Sequence, residues 1–514
     1  MIRKLLLAAS LLAFACPGPA HAAWQQASST HFIVYADDKP ERIRAFTERL
    51  EKFDKALRIM RGIDDLPLAD AQRVRVYMVA DLSQIKRLAG KGMSGVAGWY
   101  SPRPGGPVAF VPRDAPDGSP YDLSAQAILL HEYTHHFMFL NWPNAVFPPW
   151  LVEGYAEFHA TAIFEKDGDV LLGQAPGYRV WSMGDSTLLP ASRLVQLDPG
   201  KLSDDQTDAL YSRGWLLTHY LMFDPGRRAQ LSKYIAAVNA GKSADEAAAV
   251  FGDLKKLDRD MTSYVGRPKI TVARIAADKL TIGAIAITPL TAGEAAVMPA
   301  RLRSTRGVDS TSAKDVVALA RKLAAPFHTD PGAQNELAEA EFDAGNFQAA
   351  REAADRAIAA DAKSIHALVY RGMAETQILR VAGDKDAAHW RAARRWFIAA
   401  NKIDPDNPEP LMLFYYSFAD AGIAPTSNAE DGLLSAYRGA PFSSDLRMTA
   451  AGIYLTRKNN AEARAALLPI AYGAHQGGMS QVALAALQAI DGGDTDKAIA
   501  VLKAAANPEN TKQG

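Results

Sequence analysis

The chain has 514 residues, 48% of them hydrophobic, with 57 Lys and Arg against 57 Asp and Glu. That length exceeds what one compact core supports, so two or more domains are expected. The even charge balance gives no basic field to hold nucleic acid and no long acidic tail, and the single cysteine leaves nothing for an internal disulfide.

The start, MIRKLLLAASLLAFACPGPAHAAW, has a positive beginning at Arg3 and Lys4, an apolar run from Leu5 to Ala15, and Ala20-His21-Ala22 at its close. This pattern predicts a secretory signal over residues 1–22 and an exported, periplasmic or secreted, mature chain. The run is too short for a stable bilayer span and no later window is long and charge-free enough, so no membrane span is expected. Removing 1–22 leaves 55 basic against 57 acidic residues, a net charge of −2. Cys16 falls inside the signal, so the mature chain has no thiol for chemistry. Lipidation at Cys16 is poorly matched by Ala13-Phe14-Ala15 before it and Pro17 after it.

His31–Ala36 reads as a strand, and Pro40–Met60 as a helix whose apolar face carries Phe46, Leu50, Phe53, Leu57 and Met60. Arg73–Val79 alternates as a second strand. Two short strand-like runs around the Pro/Gly turn at 102–107 predict a hairpin. Next comes AILLHEYTHHFMFL, a helix that Asp122 or Ser124 can cap and that Asn141-Trp142-Pro143 stops. A second helix is expected over Pro149–Phe164, PWLVEGYAEFHATAIF, and more helices from Ser203 to about Gly266.

Residues 267–312 change character: KITVARI, IGAIAITPL and VMPARLRST read as β-rich and Pro/Gly-punctuated, with a domain boundary in a polar stretch from Ser304 to Ser312. From Ala313 onward the chain is Ala-rich and helical. Leu337-Ala338, Gly345, Phe347, Ala350, Ala354 and Ala357 fall at the spacing of the tetratricopeptide (TPR) pattern, in which small residues let paired helices approach. Thirty-four residues after Ala338 stands Gly372, and Ala393, Phe397, Ala400 and Pro405 recover the rest of that unit after an insertion around Val381 to Ala388. Ala436 with Pro441, then Ala451 with Ala463, continue the series, which gives four or so units. A generic helical bundle is the alternative.

His131 and His135 are four apart, so on a helix they differ in direction by about 40° and can grip one ion. Glu132 sits one step round, able to reach a water on that ion without being a ligand. Catalytic zinc takes three protein groups and keeps one position for water, so a third ligand is required. Glu153 in WLVEGYAEF, eighteen positions past His135 and beyond the break at Pro148-Pro149, is the candidate. Glu157 shares its face. One carboxylate can bind metal while the other accepts the free N–H of a ligand histidine. His136 points about 100° from His135, and His159 too is read as a neighbour and not a ligand.

HEYTHH followed by PPWLVEGYAEF resembles the thermolysin-type gluzincin metallopeptidases, in particular the bacterial peptidase-MA-like families. The resemblance covers about residues 25–270 and its specific part is His131 to Glu157. It implies one Zn2+ held by His131, His135 and Glu153, with Glu132 as general base in peptide hydrolysis, on an α+β zincin-like domain. It also implies that the strand around Val108 to Val111 pairs with an extended peptide or protein substrate. Similar families carry Tyr-x-x-Gly on a following helix, which marks Tyr211 as the transition-state donor, against the plain alternative of an aromatic packed in a core.

Other catalytic patterns fail on spacing. Gly241-Lys242-Ser243 lacks the earlier glycine of a phosphate loop, where Ala236 stands, and Gly184-Asp185-Ser186 lacks a glycine-flanked serine elbow. The expected architecture is therefore a signal over 1–22, a gluzincin-like catalytic domain over 23–266, a β-rich segment and linker over 267–312, and TPR-like helical repeats over 313–514 that bind a protein partner or substrate. The rival is an exported, non-catalytic repeat scaffold whose zinc domain is structural or silent.

Overall fold

The computed structural model describes residues 24–66, 68–90, 97–114, 123–196, 202–473 and 478–505. The expected signal, Cys16 and the alternative cap Asp122 lie outside these residues.

The early strands join one six-stranded sheet. They are β1 (Gln25–Ser28), β2 (Phe32–Ala36), β3 (Val74–Asp81), β4 (Trp99–Ser101), β5 (Val108–Asp114) and a late strand, β9 (Ala286–Pro289), in the order β4-β5-β3-β2-β1-β9. β2, β3 and β5 run parallel, and β4, β1 and β9 pair antiparallel with their neighbours. Every residue of β2 is buried, as a central strand covered on both faces must be. One face, with Phe32, Val34, Val74 and Val76, packs in a common core with residues of α1 (Pro40–Arg61) and α3 (Ala125–Asn141). The other face, with Ile33, Tyr35, Tyr77 and Phe110, meets α2 (Leu82–Ala89) and α11 (Ala292–Arg306). There Tyr35, Tyr77, Phe110 and Trp99 stack in a row across four strands at centroid spacings of 5.1, 5.3 and 4.4 Å. Each such pair contributes about 0.5–1.5 kcal/mol beyond the area it buries.

The hairpin at 102–107 forms as expected, and this changes the reading of its second strand. β5 is flanked by β3 on one side and by β4 on the other over Val108–Phe110, so Val108–Val111 is not a bare edge awaiting substrate. Among the described residues the outermost strand on that side is β4.

The helices follow their end signals. Pro40 opens α1, and Gly62, at φ 63°, closes it with its N–H on the carbonyls of Arg58 and Ile59. Ser124 caps α3, its hydroxyl accepting from the Ala127 N–H at 3.0 Å. Pro149 starts α4 (Pro149–Ala160), which ends four residues before the expected Phe164. Ile163–Phe164 is instead a strand, β6, that pairs with β7 (Val170–Leu172) through a turn at Asp167-Gly168, where Gly168 takes φ 93°. A turn of that hand overrides the helical pattern before it. Short α5 (Val180–Met183) and α6 (Ala191–Leu194) lead to α7 (Asp204–Phe223), α8 (Arg228–Asn239), α9 (Ala244–Ala248) and α10 (Leu254–Val265).

Residues 267–312 are not a separate unit. β8 (Ala273–Ile275) completes the small sheet β6-β7-β8, β9 extends the large one, and VMPARLRST, read as β-rich, lies within helix α11. Thr291 and Glu294 form a capping box at its start, and Met298 and Leu302 bury against the sheet. That packing outweighs Pro299 inside the helix and the strand-like composition around it.

α11 and α12 (Ser312–Ala324) open an all-α region of antiparallel helix pairs. Its pairs are α13 (Pro331–Asp343) with α14 (Phe347–Ala360), α15 (Ile365–Val381) with α16 (Ala387–Ile403), and α17 (Pro408–Asp420) with α18 (Ser427–Gly439). Then come α19 (Ser444–Thr456) with α20 (Asn460–Ala471), and α21 (Gly478–Asp491) with α22 (Thr495–Ala505). From α13 onward the described residues hold five such pairs against the four or so expected, and their first helices begin 34, 43, 36 and 34 residues apart. The long second interval matches the insertion around 381–388, where both helices of the pair reach 17 residues. Small residues set the helix spacing: a Cβ on Gly372 would lie 2.6 Å from the Phe397 ring. The region is a helical repeat array in which each pair packs on the next.

Candidate metal centre

α3 and α4 meet because Trp142, Pro143 and Pro148 break the chain between them. Along α3 the residues Leu129, Leu130, Tyr133 and Phe137 take core positions, which leaves His131 and His135 on the face turned toward α4. Their Nε2 atoms lie 3.1 Å apart, and Oε2 of Glu153 lies 3.2 Å from His131 Nε2 and 3.5 Å from His135 Nε2. Tetrahedral zinc with bonds of about 2.0–2.1 Å has ligand-to-ligand edges of about 3.3–3.4 Å, so these three donors already have the spacing of one cation's coordination triangle. His135 and Glu153 are 6% and 1% exposed, so an ion held there is shielded from bulk water.

Glu157, one turn beyond Glu153, is equally buried. Its Oε1 lies 3.7 Å from His131 Nδ1, on the side of the ring away from Glu153, which fits the role of fixing that histidine's tautomer. Two buried carboxylates on one helix face repel unless each has a partner. Tyr178 donates to Glu157 Oε2 at 2.7 Å, and Arg179 donates through Nη2 and Nε to Oε1 at 3.1 and 3.3 Å. Arg179 also pairs with Asp208, which holds Ser182 as well. Glu157 is therefore satisfied from the helical turn Gly177–Arg179, and Glu153 is left to serve the two imidazoles.

The electrostatics follow. Burial works to raise the Glu153 pKa, but the charge of His135 and hydrogen bonds from both histidines hold it well below the usual carboxylate range. Burial works to lower the His131 pKa, while the Glu153 hydrogen bond and the charges of Glu153, Glu157 and Glu132 carry it above its ordinary value. The site is net acidic, a field that favours a divalent cation.

Tyr211 is brought in by a glycine crossing. A Cβ on Gly154 of α4 would fall 2.2 Å from the Gly214 carbonyl carbon of α7, and a Cβ on Gly214 would fall 2.6 Å from the Trp150 oxygen. The two backbones touch, and Tyr211, one turn before Gly214, stacks on the His131 ring at 5.9 Å with 28° between planes. The Arg179 guanidinium lies over the Tyr211 ring, 4.7 Å from its centroid. Burial, aided by the charge of Glu153, pushes the Tyr211 hydroxyl up, so it stays protonated and able to donate. Glu132, next to His131 on α3, is half-buried, and its charge acts on His131, Tyr211 and Tyr100.

The other histidines stand apart. His136 accepts or donates at Nδ1 with the Tyr100 hydroxyl at 2.9 Å, and burial lowers its pKa to about 3. His159 is fully buried with Nδ1 2.7 Å from the Tyr155 carbonyl, and burial likewise lowers it to about 3. Sequence reasoning missed Tyr178 and Arg179, which sit in no motif. It also missed a second cluster, the buried His31 and Asp54 with the exposed Asp65.

No family model matches the chain, and no curated protein matches it. Among solved structures, the chain is similar to a thermophilic TPR protein of Thermus thermophilus, at 18% identity over 34% of this chain and 88% of that one, with a TM-score of 0.29. It is similar to pilF of Pseudomonas aeruginosa at 15% identity, 41% and 88% coverage, and a TM-score of 0.32. A tetratricopeptide repeat protein from Parabacteroides merdae gives 11%, 55% and 94%, and 0.29.

Proposed function

We propose that the chain is an exported zinc-dependent peptidase whose helical repeats hold a protein partner or help to hold the substrate. The observation that carries this reading is the triangle of His131, His135 and Glu153 donors with edges of 3.1, 3.2 and 3.5 Å, beside a carboxylate outside the triangle, Glu132. Two histidines and one glutamate are the donor set of catalytic zinc, and these three residues would hold the ion. When bound, zinc lowers the pKa of water to about 7 and polarises a carbonyl.

The remaining work falls to the chain. Glu157 and Arg179 keep the His131 ring in place. Glu132 takes the proton of the attacking water and delivers it to the leaving amine. Tyr211 donates a hydrogen bond to the oxygen on which negative charge develops, and its stacking on His131 fixes the direction of that bond. An extended peptide would pair along β4, the outermost strand on that side among the described residues. Among the described residues no helix is long and apolar enough to cross a membrane.

A second reading, a repeat scaffold for protein binding with no catalysis, draws on the five stacked helix pairs alone. One experiment separates the two. Zinc per chain is measured, and cleavage of a peptide library is compared for wild type and Glu132→Gln. One zinc per chain with cleavage falling about 10²–10⁴-fold in the variant supports the peptidase. Full zinc occupancy with no cleavage by wild type supports the scaffold.

A further inference from the structure

The repeat array reaches the metal site. α18 and α19 grip the turn between α3 and α4: the Tyr437 hydroxyl donates to Asn144 Oδ1 at 3.2 Å and Arg447 donates to the Pro143 carbonyl. The Phe442 ring lies 5.1 Å from that of His136, and Gln72 of the first domain donates to the Gly439 carbonyl at 3.1 Å. These contacts set the end of α20 against the metal helix.

A pocket of about 30 Å³ lies at that junction, and His135 is part of its wall. Phe139, Trp142 and Phe147 supply the side from the first domain, and Pro469 and Tyr472 supply the side from α20 and its end. Apart from the His135 imidazole, the lining residues carry no ionisable acid or base other than the Tyr472 phenol, so a charged occupant would lose its hydration with little replacement. A single water needs about 10–15 Å³ measured in this way, so the space takes two or three carbon atoms and excludes an aromatic ring.

We propose that this pocket is a specificity site for a small branched aliphatic side chain of the substrate peptide, and that the helical repeats form one of its walls. The inference rests on the peptidase reading. It assigns the repeats a place in substrate selection beside His135, rather than a remote binding role alone.

Amino-acid hydroxamates test it, because the hydroxamate grips a metal while the side chain samples the neighbouring space, and no turnover is needed. Valine, phenylalanine and acetohydroxamate are titrated by calorimetry into the zinc-loaded full chain, wild type, Tyr472→Ala and Ala145→Leu. Wild type is expected to favour valine over phenylalanine hydroxamate by about tenfold or more. Tyr472→Ala, which removes the repeat-side wall, should erase or reverse that ranking. Ala145→Leu, which fills the pocket, should weaken valine hydroxamate about tenfold. Acetohydroxamate affinity should be the same in all three, which separates pocket shape from damage to the metal site. An unchanged ranking in Tyr472→Ala overturns the proposal. A chain that ranks the hydroxamates as expected yet cuts no peptide upholds the pocket and removes the peptidase, and a chain that binds no zinc removes both.

Discussion

Two clusters in the first domain each gather histidine and carboxylate, and they differ in what already holds the carboxylates. In the first, His31 Nε2 lies 3.2 Å from Asp54 Oδ2 and 3.2 Å from Asp65 Oδ1, with Nδ1 2.7 Å from Glu51. Arg58 Nε sits 2.6 Å from Asp54, Lys55 Nζ 3.0 Å from Asp65, and the Tyr133 hydroxyl donates to Asp54 at 2.6 Å. A metal ion there would have to displace the Arg58 guanidinium from the Asp54 oxygen that faces His31, and compete with the Lys55 ammonium for the Asp65 carboxylate. In the second, the cation-bearing residue Arg179 is spent on Glu157, while Glu153 faces two imidazoles whose nitrogens point at each other. The position of the resident cations separates an ion-pair network, which joins β2, α1 and α3, from a cluster whose donors could hold an ion.

Paired substitutions put the largest strain on this comparison. Glu153→Ala should abolish stoichiometric zinc binding. Asp54→Ala should leave zinc at one per chain but cost about 3–5 kcal/mol of stability, because it strands His31, Arg58 and the Tyr133 hydroxyl in the interior. Zinc analysis and urea unfolding read the two effects. Zinc lost in Asp54→Ala with the stability kept would invert the assignment.

The next effect concerns how the second cluster is assembled. Gly214→Ala places a methyl group 2.6 Å from the Trp150 oxygen and 3.3 Å from the Gly154 nitrogen, so α4 and α7 must separate. A cost of about 1–3 kcal/mol is expected, with peptide cleavage reduced because Tyr211 and Glu153 move apart. The matching change at an open glycine, Gly452→Ala, where a Cβ meets nothing within 4 Å, should cost neither. Smaller again is Glu157→Gln. It keeps the shape but weakens the hold on His131 Nδ1 and Arg179, so zinc affinity should fall about 10–100-fold by competition with a chelator.

The sequence made the second cluster legible and the first invisible for one reason. His131, Glu132, His135, Glu153 and Glu157 lie on two helices, the paired ligands and carboxylates at intervals of four, and helical geometry alone converts such intervals into a shared face. Tyr211 was legible only through Gly214, whose missing side chain lets the helices touch. His31, Asp54 and Asp65 come from a strand margin, a helix and a loop, and no spacing rule joins those. Tyr178 and Arg179 reach Glu157 from a single helical turn placed by the tertiary fold. In α11, Val297 and Met298 suggest a strand, while the capping pair Thr291 and Glu294 carries the better signal. In the repeats the reverse holds: local spacing of small residues predicts the helix pairs, since contacts there run mostly between sequence neighbours.

The smallest effect is the pH dependence of the ion network. Burial works to lower the His31 pKa, but the Glu51 hydrogen bond and the charges of Asp54 and Glu51 raise it overall, against an opposing push from Arg58. Glu51 is shifted the other way: burial works to raise it, and its hydrogen bond and ion pair with His31 bring it down. A histidine whose folded pKa exceeds its unfolded value of about 6.5 contributes stability in full below that value and loses it as pH rises through the folded pKa. The stability gap between wild type and His31→Gln should therefore be widest near pH 6 and shrink toward pH 9, measured by urea unfolding. Below about pH 4.5 the gap should shrink again as Glu51 takes up a proton and its own contribution is lost. A gap that stays level from pH 6 to 9 would mean His31 is neutral throughout. The network would then be held by Arg58 and Lys55 alone, and the two clusters would differ less than their resident cations suggest.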